Sequence, residues 1–213
     1  MNILVLCDND LLKPAEKIFR EQPHKVIFTD SININPVLDC NHIVNNYDLV
    51  FSMHCKQIFP RNLHHRVRCV NVHPGYNPFN RGMYPHVFSI INGLPAGVTI
   101  HEITEDIDDG PIIVRRQVGV KNTDTGETLY KRVIDCEFDL LRDNLKRIID
   151  NDYKATIDGP GNYNSKEDFK RLCKLDLSTA GTFENFYNIM RALSHGEHKN
   201  AKVNDTFLKL QIL

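Results

Sequence analysis

Apolar residues along this chain fall into two spacings. Short β-prone runs at Ile3–Cys7, Lys25–Thr29, Leu49–Met53 and Cys69–His73 read as strands, the first buried on both faces. Between the first two, Leu11–Glu21 has helical spacing, with Leu12, Ala15, Ile18 and Phe19 on one face. Asn45-Asn46 marks a turn before the third run. Strands alternating with helices predict a parallel α/β sheet.

A long polar loop, Pro74–Tyr84, holds two prolines and two glycines and leads into a helix at Pro85–Asn92. Gly97–Glu102 and Ile112–Val120 read as strands around a connection ending in Asp108-Asp109-Gly110-Pro111. Thr128–Asp150 reads as one long helix whose stripe of Leu129, Val133, Ile134, Phe138, Leu141, Leu145 and Ile148 is core. After Asp150 come a loop at Asp158–Asn164, a helix at Phe183–Leu193, and an alternating edge strand at Phe207–Leu213. This change divides the chain into residues 1–155 and a C-terminal extension, 156–213. It shows no repeats and no low-complexity linker.

With 213 residues, a globule buries roughly 70% of its unfolded surface and needs no disulfide or metal staple. The 26 basic and 27 acidic residues leave a net charge of −1, so no global field draws nucleic acid or membrane. Six scattered cysteines, without CxxC or zinc-finger spacing, read as reduced thiols of a cytoplasmic protein with no metal site. The apolar start, Met1–Cys7, lacks the basic leader and length of a signal peptide. No run approaches the roughly 20 apolar residues of a membrane helix.

Candidate chemistry gathers at the fourth strand. Asn71 and His73 are two apart and so face one side, at the carboxyl end where open α/β sheets bind ligands. Asp108 follows in a turn before Gly110-Pro111. An amide, an imidazole and a carboxylate suit acyl transfer to an amine, which must stabilise an oxyanion and remove a proton. Singly each is weak: a strand-end histidine is commonly structural, and an aspartate before glycine commonly forms a turn. They become informative as an ordered set.

That set is Asn71-Val72-His73-Pro74-Gly75-Tyr76-Asn77-Pro78-Phe79-Asn80-Arg81-Gly82, then Gly97-Val98-Thr99-Ile100-His101, then Asp108-Asp109-Gly110. It resembles the 10-formyltetrahydrofolate-dependent formyltransferases, which share Asn-x-His, a loop ending in Arg/Lys-Gly, Gly-x-Thr-x-His and Asp-x-Gly in this order. Residues 49–135 carry the likeness closely. The wording from His73 to Gly82 is similar to the nucleotide-sugar N-formyltransferases. Three features favour that branch. Asp8-Asn9-Asp10-Leu11 lacks the glycine of a phosphate cradle. No basic C-terminal domain is present for tRNA. The tail from Leu193 to Leu213 is similar to a C-terminal dimerisation hairpin.

The resemblance implies a Rossmann-like formyltransferase fold: a mostly parallel central sheet flanked by helices, plus a small C-terminal helix and β-hairpin extension. It implies formyl transfer from 10-formyltetrahydrofolate to a nucleotide-linked amino-dideoxy sugar, dTDP-4-amino-4,6-dideoxyglucose as first choice, for a surface polysaccharide such as O-antigen. Asn71, His73 and Asp108 are the implied catalytic trio, the family spacing selecting Asp108 over Asp109. Asn71 is expected to donate to the oxyanion, and His73, near its ordinary pKa, to share that task or move protons. Met53, Ile103, Thr104, Glu105 and Asp106 are expected along the folate, largely through backbone groups. Asn9, Lys56, Gln57, Tyr76, Asn77, Arg81 and Tyr163 are expected at the nucleotide sugar, Arg81 and Lys56 at its phosphates. His101 is read as structural, and a homodimer through the hairpin is expected. Met83 and His86 depart from a family tryptophan and glutamine, and the segment before Asn71 is short. The alternatives are a folate-dependent formyltransferase or formyltetrahydrofolate hydrolase acting on a non-sugar substrate, and a non-catalytic folate- or nucleotide-binding module.

Overall fold

The computed structural model describes residues 1–30, 34 and 37–210. Its first half runs β1 (Asn2–Cys7), α1 (Asn9–Phe19), β2 (Lys25–Thr29), α2 (Val37–Asn46), β3 (Leu49–Met53), α3 (Arg61–His64) and β4 (Arg68–His73). The second half runs β5 (Arg81–Gly82), α4 (Pro85–Asn92), β6 (Ala96–Glu102), β7 (Ile112–Val118), α5 (Gly126–Ile149), β8 (Tyr163–Asn164), α6 (Lys166–Leu172), α7 (Phe183–Leu193), β9 (Ala201–Val203) and β10 (Thr206–Leu208). The central sheet has six strands in the order β2-β1-β3-β4-β6-β7. Its first four are parallel, and β6 and β7 join antiparallel.

Burial on both faces explains the unbroken apolar runs. Ile3, Val5 and Cys7 of β1 pack with α1 and α5, whereas Leu4 and Leu6 pack with Cys40, Ile43 and Leu63 beneath the opposite face. Each such Leu or Ile contributes about 1.5–3 kcal/mol by leaving water. On α1 the buried face is Leu11, Ala15, Ile18 and Phe19, with Leu11 replacing the expected Leu12. Asp8 caps the helix by accepting from the Asp10 N–H, so the helix starts at Asn9.

Other expectations shift. α2 runs through the expected Asn45-Asn46 turn. The Asp158–Asn164 loop is interrupted by β8, which pairs in parallel with β5. The expected final strand spans only Thr206–Leu208, hydrogen-bonded to β9, and Gln211–Leu213 lie outside the described residues.

An asparagine network holds the polar loop in place. Fully buried Asn80 donates to Ser89 Oγ at 3.0 Å and accepts from Asn92 and Asn162 at 2.7 and 2.8 Å. These bonds compensate the desolvation of a buried amide. Among the described residues no helix is long and apolar enough to cross a membrane.

Candidate active site

Asn71 and His73 emerge at the carboxyl end of β4, beside the antiparallel β6 that brings His101 opposite Asn71. The turn after β6 returns Asp108 to the same point with a left-handed φ of 52°. Backbone in that region is costly for most residues and less so for Asp or Asn. Three contacts hold the turn. Asn71 Nδ2 donates to Asp108 Oδ1 at 2.9 Å, the Gly82 N–H to Oδ2 at 3.1 Å, and Asn77 Nδ2 to the Asp108 carbonyl at 2.8 Å. Gly82 has φ +87°, and a Cβ there would meet the Tyr163 ring at 2.5 Å. Its backbone therefore serves Asp108 while Tyr163 lies against it.

His73 Nδ1 lies 3.6 Å from Asp108 Oδ2, and His101 Nε2 lies 3.6 Å from Oδ1. A Cβ on Gly75 would come within 2.4 Å of His73 Nε2, so only glycine admits the ring. That Nε2 is buried without a hydrogen-bond partner among the described residues. Burial, with the Asp108 charge opposing, pushes the His73 imidazole down to about 4. Burial alone would raise Asp108, but His73, His101 and the Gly82 N–H outweigh it and hold the carboxyl well below the ordinary carboxylate range. At neutral pH the pair is a neutral imidazole beside a carboxylate. His101 Nδ1 donates to the Glu102 carbonyl at 2.8 Å, leaving its Nε2 to accept from Asn71 at 3.2 Å. Both Asn71 amide hydrogens are thus spent on Asp108 and His101. The donor expected for an oxyanion is occupied, and Asn71 Oδ1 has no partner among the described residues.

All three groups line a cavity of about 740 Å³. Ile103, Thr104, Glu105 and Asp106 form one wall, with Glu105 paired to Arg61 at 3.0 Å. Lys56, Gln57 and Tyr163 form another part, with Lys56 Nζ 3.5 Å from Asp8. Five expected residues are not on the wall. The Met53 side chain is fully buried in the core, and its carbonyl accepts from the Asp8 N–H at 3.1 Å. Tyr76 lies beneath the Arg115 guanidinium, 4.7 Å from ring centroid to Cζ. Asn77 is 2% exposed and serves the Asp108 backbone. Arg81 is turned onto Asp109, and Asn9 reaches Asp30. Local ion pairs and hydrogen bonds hold Asn77, Arg81 and Asn9 off the wall, although Asn77 Oδ1 and Arg81 Nε are buried with no partner among the described residues.

Met83 and His86, the two departures beside the loop, are joined on the wall by residues the sequence did not single out. His54, Met83, His86, Tyr130, His195 and His198 line the same cavity. His54 Nε2 bonds Glu137 Oε2 at 2.9 Å, and Glu137 is completely buried in α5. The Glu137 charge outweighs burial and raises His54. His86 is pushed down to about 3 by burial first, then by His195 and His54. Burial also lowers His195. Glu137 had a legible signal: it falls on the apolar stripe of α5, between Val133 and Leu140-Leu141. Among the described residues no cluster of three or more His, Cys, Asp or Glu is placed to hold a metal.

Residues 3–145 match the Formyl transferase family, and residues 168–209 match the N-formyltransferase dimerization C-terminal domain. The dTDP-4-amino-4,6-dideoxyglucose formyltransferase of Mycobacterium tuberculosis is 49% identical over 160 residues, 75% of this chain and 68% of that one. A sugar N-formyltransferase structure from Shewanella sp. FDAARGOS_354 superposes with a TM-score of 0.95 at 37% identity, covering 100% of this chain and 99% of that one. A formyltransferase from Anoxybacillus kamchatkensis, in complex with UDP-4,6-dideoxy-4-formamido-L-AltNAc and tetrahydrofolate, superposes with a TM-score of 0.69 at 25% identity, covering 80% and 89%.

Proposed function

The chain belongs to the formyl transferase family, and from that premise we propose that it moves a formyl group from 10-formyltetrahydrofolate to the amine of a nucleotide-linked amino-dideoxy sugar. The 49% identical mycobacterial relative makes dTDP-4-amino-4,6-dideoxyglucose the first substrate to try. One observation carries the reading: an orphaned imidazole nitrogen, a carboxylate and a free amide carbonyl meet on the wall of one large cavity.

The donor set fits a folate. Residues 103–107 line the cavity as a loop, and its main chain can meet a pterin's donors and acceptors. When bound, the folate would supply the formyl carbon that the amine attacks; the bond from that carbon to the folate nitrogen would break, and the departing nitrogen would take the proton that His73 Nε2 has accepted. Asp108, facing His73 Nδ1, selects the Nδ1–H tautomer and leaves the Nε2 lone pair as the base. A histidine near 4 is unprotonated at neutral pH, so Nε2 is ready to take the proton the amine sheds. The imidazolium so formed is stabilised by Asp108 and stands as a cation beside the developing oxyanion. Asn71 anchors Asp108 and offers Oδ1 to an amine N–H, aligning the nitrogen lone pair. Lys56, Gln57 and Tyr163 serve the nucleotide sugar.

The division into residues 1–155 and 156–213 suits this role, the first part carrying the transfer and the second closing the cavity with His195 and His198. A homodimer through the hairpin is supported by the family match and by apolar surface there. Leu177 and Phe183 are 81% and 85% exposed, and Phe207 and Leu208 of β10 are exposed as well. Six unpaired cysteines fit a reducing, cytoplasmic setting.

The test incubates the protein with 10-formyltetrahydrofolate and dTDP-4-amino-4,6-dideoxyglucose and reads the sugar nucleotide by mass spectrometry. A product one formyl group heavier, lost in His73→Asn, is expected. No product with this sugar or with its 3-amino, galacto and UDP analogues refutes the sugar reading.

A further inference from the structure

A nucleoside diphosphate brings at least two negative charges, and the cavity offers few cations to meet them. Among the described lysines and arginines only Lys56 is on the wall, since Arg81 is committed to Asp109. Five carboxylates, Asp8, Asp10, Glu105, Asp106 and Asp108, line the same space. Burial holds the imidazoles of His73, His86 and His195 toward their neutral forms.

His54 is built differently. It follows the last residue of β3 with a left-handed φ of 58°, which directs its ring toward α5. There Nε2 donates to Glu137 Oε2, while Glu137 Oε1 is buried with no partner among the described residues. Among the described residues this imidazole is the one basic group within ion-pair distance of the buried Glu137 carboxyl. With Nε2 engaged, Nδ1 has no partner among the described residues. His54 lines the large cavity and also an adjoining one of about 180 Å³, and Lys56 lines both. An apolar pair would fill this position in the core with less desolvation, so packing does not account for it.

We infer that the His54–Glu137 pair supplies, together with Lys56, the cationic seat for the diphosphate of the nucleotide sugar. Glu137 favours the charged form of His54 and orients the ring from behind, and the Nδ1–H is the charge-assisted donor to a phosphate oxygen. This rests on the nucleotide-sugar reading above and adds to it a binding residue and a buried positioning residue.

Isothermal titration of dTDP into the full chain tests it, with tetrahydrofolate titrated into the same samples. His54→Asn removes the charge and still tolerates the left-handed backbone. Glu137→Gln keeps shape and removes the charge at a position no ligand can touch. Each variant is expected to raise the dTDP Kd by about tenfold or more, the loss of one charge-assisted hydrogen bond, while folate affinity stays within about twofold. An unchanged dTDP Kd in either variant overturns the inference. Equal loss of dTDP and folate affinity also overturns it, assigning the pair to structure alone. A wild-type chain that binds neither dTDP nor UDP sinks the nucleotide-sugar reading itself, a result distinct from the other two.

Discussion

Replacing Asp108 with asparagine removes one charge and leaves the shape of the site. The left-handed φ of 52° suits asparagine, so the turn is retained. An amide accepts on one side only, so either Asn71 Nδ2 or the Gly82 N–H loses its partner, at about 1 kcal/mol or more. The larger effect falls on His73. At 3.6 Å and an effective dielectric near 20, a carboxylate stabilises an imidazolium by roughly 5 kcal/mol. With about half of that charge developed at the transition state, the loss is about 2 kcal/mol, or about 30-fold in kcat. Loss of the oriented tautomer adds to this, so a fall of about 10²–10⁴ is expected, with KM little changed. Steady-state formyl transfer measures it, and the thermal unfolding midpoint checks that the variant is folded. A folded Asp108→Asn enzyme with kcat within about fivefold of wild type refutes the pairing with His73.

Two further outcomes follow from the same geometry. His86 has a folded value of about 3 against 6.5 when free, so its stabilising contribution is present above 6.5 and is lost as pH falls toward 3. Going from pH 7 to pH 5 therefore costs wild type about 2 kcal/mol at this residue, and His86→Gln is expected to lose that much less in urea unfolding; an equal loss in both proteins refutes it. Phe207→Ser on the exposed face of β10 is expected to shift the protein from dimer to monomer in light scattering after gel filtration, and an unchanged dimer refutes the hairpin interface.

Much of the fold was legible because its signals are local. The runs at 3–7 and 49–53 are strands buried on both faces, with no polar side to interrupt them, whereas 25–29 is a half-exposed edge strand marked by its β-prone residues. α4 and α7 also fall where their spacing places them. α2 and the short pair of β5 and β8 were not legible. α2 buries Cys40 and Ile43 but ends in the turn-prone Asn45-Asn46, and two-residue strands are defined by a partner distant in the chain.

The candidate site divides in the same way. Asn71, His73 and Asp108 are candidates in the sequence through strand alternation and turn chemistry, which depend on neighbours in the chain, and the ordered motifs resembling the formyltransferases single them out. What the tertiary structure alone decided is which groups remain free. Arg81 and Asn77, polar residues of a promising loop, lie off the cavity wall and bond to Asp109 and the Asp108 backbone, while His54 meets Glu137 from 83 residues away. Burial and such long-range partners lower His73 and His86 and raise His54. A residue's chemical type is written in the sequence, but its charge and availability depend on what the fold packs against it.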